Sequence, residues 1–123
     1  MAERLADRLA GAEPADGAAW QRVGFDGAPA ARPGDLAALV GEALRVRGRP
    51  SLVIGTEGFL RPASLRLELG HTDPEMFLDG WIDVGGLRRE VLEPAGPGGS
   101  GRVLPRLWDA AADRAHRDRY VAL

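Results

Sequence analysis

Neither cysteine nor lysine occurs among the 123 residues of this chain. The first absence excludes disulfides, thiolate metal sites and cysteine nucleophiles. The second excludes Schiff-base chemistry, lysine general bases and any phosphate site built on an ammonium group. All 16 basic residues are arginine. Aromatic residues are scarce, at 6%. Trp20, Trp81 and Trp108 are too scattered for a binding stripe and read as core anchors. No apolar run reaches the roughly 18 residues a membrane span needs. Residues 1–17 carry acids and lack a signal-like apolar stretch. The formal charge of −2 offers no general attraction to nucleic acid or anionic lipid. A cytoplasmic protein without membrane or nucleic-acid partners is expected.

What remains is globular in character: 45% of residues are apolar and 28% charged. The length suits one domain, which at this size buries about two thirds of its unfolded surface.

Residues 2–10 read as a short helix with Leu5 and Leu9 on one face, and Glu13–Gly17 breaks it. Val23 and Phe25 alternate in a short strand over 20–25. A loop rich in Ala, Gly and Pro fills 26–34. Leu36, Leu39, Val40, Ala43 and Leu44 then recur as one helical stripe, with Asp35 as the expected N-cap and Gly48 as the stop. Ser51–Thr56 follows Pro50 as a short apolar run of the kind found in buried parallel strands. Strand, helix and strand in that order predict a right-handed βαβ unit. Further on, Leu65, Leu67 and Leu69 alternate as a half-buried strand over 64–69. Asp73-Pro74 opens a helix over 75–81, and Asp83 caps another over 86–92. Residues 96–101 form a loop. Residues 103–108 read as a strand, and 110–117 as a short helix or turn.

Four stretches, taken in order, resemble the uridine kinase and phosphoribulokinase group of P-loop proteins. They are Arg22-Val23-Gly24-Phe25-Asp26-Gly27, Thr56-Glu57-Gly58-Phe59-Leu60-Arg61-Pro62, Asp73-Pro74-Glu75-Met76-Phe77 with Leu87–Leu92, and Gly96–Arg102. The resemblance implies an α/β fold: a partial P-loop NTPase-like sheet, mainly parallel, with packed helices. Residues 1–19 would be an N-terminal helix and linker, and 20–123 a truncated P-loop kinase-like domain. Such a sheet lacks neighbours at its edges. Either self-association or a return of residues 103–122 into the sheet is therefore expected.

A working P-loop reads Gly-x-x-x-x-Gly-Lys-Ser/Thr, and its amides, lysine and hydroxyl hold phosphates and magnesium. Aligned on Gly27, this chain has Arg32 for the second glycine, Pro33 for the lysine and Gly34 for the hydroxyl. Pro29 and Pro33 have no N–H to offer, and Asp35 brings a negative charge. Gly27, Arg32 and Gly34 thus stand as a phosphate-loop remnant. Arg32 comes one residue early to replace the lysine and is followed by a rigid proline. Under the resemblance Glu57 is the catalytic base if the protein is active, and otherwise a loop acid. Phe59, Arg61 and Asp73 are candidate nucleoside or anion contacts; their bland roles are core residue, solvated charge and N-cap.

Residues 96–101 match Gly-x-Gly-x-x-Gly but follow no convincing strand, so a surface loop is expected. His71 with Asp73, or His116 with Asp113, make poor metal sets without cysteine, and no metal site is expected. The expected function is that of a uridine kinase-like protein that has lost ATP-dependent phosphoryl transfer and serves as a non-catalytic binding or interaction protein, of a small ligand or of itself. The alternative is a nucleoside kinase with an unorthodox phosphate site. No cofactor is expected on the first reading; ATP and magnesium are expected on the second.

Overall fold

A computed structural model describes all residues, Met1–Leu123. Five α-helices appear: α1 (Ala2–Ala10), α2 (Pro33–Val46), α3 (Ala63–Arg66), α4 (Pro74–Gly80) and α5 (Val84–Leu87). A π-helical turn, Arg88–Leu92, extends α5. The strands are two-residue pieces: β1 (Arg102–Val103), β2 (Trp108–Asp109), β3 (Arg114–Ala115) and β4 (Val121–Ala122). They form two antiparallel pairs, β1 with β4 and β2 with β3.

The expected parallel sheet is absent, and with it the P-loop NTPase-like fold. The reason lies in what α2 covers. Its apolar stripe does not lie on a sheet: Val40 and Ala43 are buried in a helix pair with α1, where Ala6 is also buried. Arg47 fastens that pair, reaching Glu3 Oε2 at 2.6 Å and Asp7 Oδ1 at 2.8 Å. Hydrogen bonds to Glu3 and Asp7 hold the Arg47 guanidinium pKa above its ordinary value. Arg49 donates to the carbonyl of Ala10 at 2.7 Å, just beyond the end of α2. Val40 and Ala43 are thus taken by α1, while Leu39 of the same stripe stays 61% exposed, with no sheet over it.

The two segments expected as parallel strands are consequently unpaired. No backbone group of residues 19–26 or 50–54 enters a backbone hydrogen bond. The run expected as a strand over 51–56 ends in a 3-10 turn, Thr56–Phe59. The run expected as a strand over 64–69 is instead α3 and a turn. Leu65 and Leu69 are 40% and 63% exposed, so no second sheet face rewards their alternation. Asp35 does not cap α2; Arg32 occupies that position in the left-handed region at φ 50°. Residues 103–122 do not return to fill a sheet but fold on themselves through the β-pairs. Asp73 and Asp83 do cap α4 and α5, accepting from the amides of Met76 and Gly86 at 2.8 and 2.9 Å.

The C-terminal half is organised around Phe59 and Leu104, both fully buried, with Val103 beside them in the core. Backbone bonds draw three segments around that centre. Asp83 donates to Phe59 at 2.7 Å, Leu107 to Gly58 at 2.8 Å and Leu104 to Glu90 at 3.0 Å. Trp20 lies against Gly101, and Arg22 donates to the carbonyl of Leu92 at 3.1 Å, so the 19–26 segment drapes over this half.

Burial is sparse, at 13 of 123 residues. The accessible surface is 8455 Å², against about 6,400 Å² for a compact monomer of this mass. The excess, on the order of 2,000 Å², is surface that compact folding would have covered.

Candidate functional site

The residues singled out from the sequence fall in three places. Gly27, Arg32 and Gly34 lie on an exposed loop with no strand before it. A 3-10 turn, Pro29–Ala31, occupies the stretch where a phosphate loop would wrap its ligand. Its amides are used internally: Ala31 and Arg32 donate to the carbonyls of Ala28 and Pro29 at 2.9 and 3.1 Å. The Arg32 guanidinium pairs with Asp35 at 2.5 Å. The one cation placed to replace a lysine is thus engaged by the adjacent acid.

Glu57, Phe59 and Arg61 lie at or just beyond the 3-10 turn that follows residues 50–55. Phe59 is fully buried and serves the core, although it also forms the floor of a shallow depression with Arg61, Asp83 and Trp108. Arg61 spends its side chain on the carbonyl of Gly80 at 3.2 Å. Asp73 serves as the α4 cap and lines neither this depression nor the next.

Glu57 lines a second open depression of about 380 Å³, together with Val53, Ile54, Arg106, Trp108 and Asp118. Sequence reasoning does not reach this cluster. Its polar members come from the hairpin β2–β3 and its continuation, a region too irregular to carry a periodic signal. His116 pairs not with Asp113, the partner the sequence suggests, but with Asp118, Nε2 to Oδ1 at 2.8 Å. Asp113 turns away to accept from the amide of Ala63 at 2.9 Å. Arg106 Nη2 also approaches His116 Nε2, at 3.0 Å, and Asp118 Oδ1, at 3.4 Å. A single ring nitrogen faces both a donor and an acceptor and serves one at a time.

Arg106 Nε and Trp108 Nε1 are buried without an acceptor. No hydroxyl, thiol or amine side chain lines the depression; its ionisable groups are the carboxylates of Glu57, Asp109 and Asp118 and the guanidinium of Arg106. No group of three or more His, Asp or Glu side chains is gathered to ligate a metal.

The hydrogen bond from His116, with help from the charge and hydrogen bond of Arg106, holds the Asp118 carboxyl below the ordinary aspartate pKa. A depressed carboxyl stabilises the fold above its unfolded-state pKa, and that contribution is lost as pH falls through the lower folded value. Replacing His116 by Ala should move the Asp118 titration upward toward the ordinary value. Carbon-detected NMR titration of the Asp118 carboxyl reads this directly; an unmoved midpoint would assign the depression to Arg106 alone.

Exposed apolar side chains continue from Val53 along the segment that leads into this depression. Leu52 and Val53 are 38% and 47% exposed, in the segment whose backbone is unpaired. Ser51 Oγ bonds the carbonyl of Gly41, and a Cβ on Gly41 would touch both Ser51 Oγ and Val53 Cγ2. Side chains two apart thus face α2 together, the alternation of an extended chain. No helix is long and apolar enough to cross a membrane.

No known protein family's description matches this chain, and no curated protein or solved structure matches it either.

Proposed function

We propose that this chain is a non-catalytic, uridine kinase-like protein that works by associating with a second polypeptide. One observation carries the reading: residues 50–54, rich in exposed apolar side chains, leave every backbone donor and acceptor without a backbone partner. Unpaired backbone beside apolar side chains is a template for pairing with another chain. The excess accessible surface points the same way. It exceeds the roughly 800 Å² that each partner contributes to a standard interface.

The loop over 27–34 supports the absence of phosphoryl transfer. Catalysis of that reaction is almost wholly positioning and charge stabilisation of the phosphates. Here two prolines lack amides, a local turn consumes others, and Asp35 engages the nearest arginine. The link to uridine kinases rests on the sequence stretches alone.

Titration calorimetry with Mg-ATP, with and without uridine, tests the loss of catalysis. We expect no saturable heat up to millimolar nucleotide. Submillimolar binding, abolished by Arg32→Ala, would return the chain to the nucleoside kinases.

A further inference from the structure

We infer that the partner is a second copy of this chain, joined through residues 51–55 as an antiparallel strand pair with Val53 on the two-fold axis. The inference rests on the association reading above and adds its partner and register.

Charge selects the partner. Arg49 and Glu57 bracket the segment, and neither has a charged partner within the chain; the Arg49 guanidinium donates to the carbonyl of Ala10. Glu57 folds its carboxylate back over Gly55, toward the segment. In antiparallel pairing about Val53, Ser51 faces Gly55 and Leu52 faces Ile54, and Arg49 of one copy comes to the end of the pair where Glu57 of the other enters its 3-10 turn. The symmetry makes that juxtaposition twice. A parallel pairing would set Arg49 beside Arg49 and Glu57 beside Glu57, and like charges directly opposite are destabilising.

Proline fixes the phase. Pro50 has no N–H, so it cannot sit where a strand must donate. Placing Val53 in a hydrogen-bonded pair directs the amides of Ser51, Val53 and Gly55 to the partner and leaves Pro50 at a position that needs no donor. The β-branched Val53 and Ile54 suit a pleated surface. The two-fold interface is isologous and closes, so it yields a dimer rather than a fibre.

The lack of cysteine makes the register directly testable. A single cysteine introduced by Val53→Cys would sit across the axis from its own copy, with Cα atoms about 5.5 Å apart in a hydrogen-bonded pair, within the roughly 4.4–6.8 Å of disulfides. One introduced by Ser51→Cys would lie about 14 Å along the strand from its counterpart. We expect Val53→Cys to form a disulfide-linked dimer at least tenfold faster than Ser51→Cys under mild oxidation. In the unoxidised protein, Arg49→Glu should weaken the dimer about tenfold, and adding Glu57→Arg should restore it. If the wild-type chain dimerises but Val53→Cys links no faster than Ser51→Cys, or the charge swap fails to rescue, the register is wrong while association stands. A wild-type chain that never dimerises overturns the self-pairing and leaves association with a different polypeptide standing.

Discussion

Phe59→Ala should cost about 3–5 kcal/mol of stability and leave the chain largely unfolded at physiological temperature. The size of the effect follows from how little else is buried. Phe59 and Leu104 are the largest fully enclosed side chains, and the buried set is mostly alanine and glycine around them. Small domains hold only about 5–15 kcal/mol in total, and a chain with so sparse a core belongs at the low end. Phe59 also sits where three segments meet: its own carbonyl accepts from Asp83, and its neighbour Gly58 accepts from Leu107. A cavity there removes packing that those bonds rely on. Thermal melts followed by circular dichroism should show a midpoint lowered by more than about 10 °C. Both proteins must be compared at one concentration, because association shifts apparent stability. A loss under about 1 kcal/mol would mean that the Phe59 cluster is not the organising core.

Gly101→Ala should be nearly as damaging, for a reason specific to its backbone. Gly101 adopts φ +72°, and an added Cβ would collide with Cζ2 and Cη2 of Trp20. Left-handed backbone costs an alanine about 1–2 kcal/mol, and forcing an extra methyl into a filled space typically costs about 1–3 kcal/mol more. The indole ring must leave, and the 19–26 segment loses an anchor to the C-terminal half. Indole fluorescence distinguishes this from a general loss of stability. The emission of the variant should shift red under conditions where circular dichroism is still native. An unshifted spectrum with native stability would show that Trp20 does not rest on Gly101.

Local signals in the sequence hold where a few adjacent residues decide the outcome. Asp73 and Asp83 cap helices because a carboxylate three positions before an open amide satisfies it regardless of the wider fold. The helical stripe of α2 forms for the same reason. What the stripe would cover is not legible, because an apolar face records only that it is buried and not by what. A helix pair with α1 competes with a sheet and wins, held by Arg47 across to Glu3 and Asp7. The parallel sheet is a tertiary inference that the apolar runs over 20–25 and 51–56 do not themselves carry.

The candidate residues divide on the same line. Engagement of Arg32 by Asp35 is foreshadowed by their spacing and opposite charge. Phe59 and Asp73 take their bland roles, as core residue and cap. Joining Glu57 to Arg106, Trp108 and Asp118 requires a fold that brings positions 57 and 106–118 to one depression. No periodicity encodes such a juxtaposition.

Sedimentation equilibrium of the unmodified chain over a broad concentration range bears most directly on the self-association through residues 51–55. It should report a reversible monomer–dimer equilibrium, with a dimer of twice the 13.1 kDa chain mass dominating at high concentration. A single monomeric species throughout would contradict it, because the unpaired segment would then be no template for its own copy.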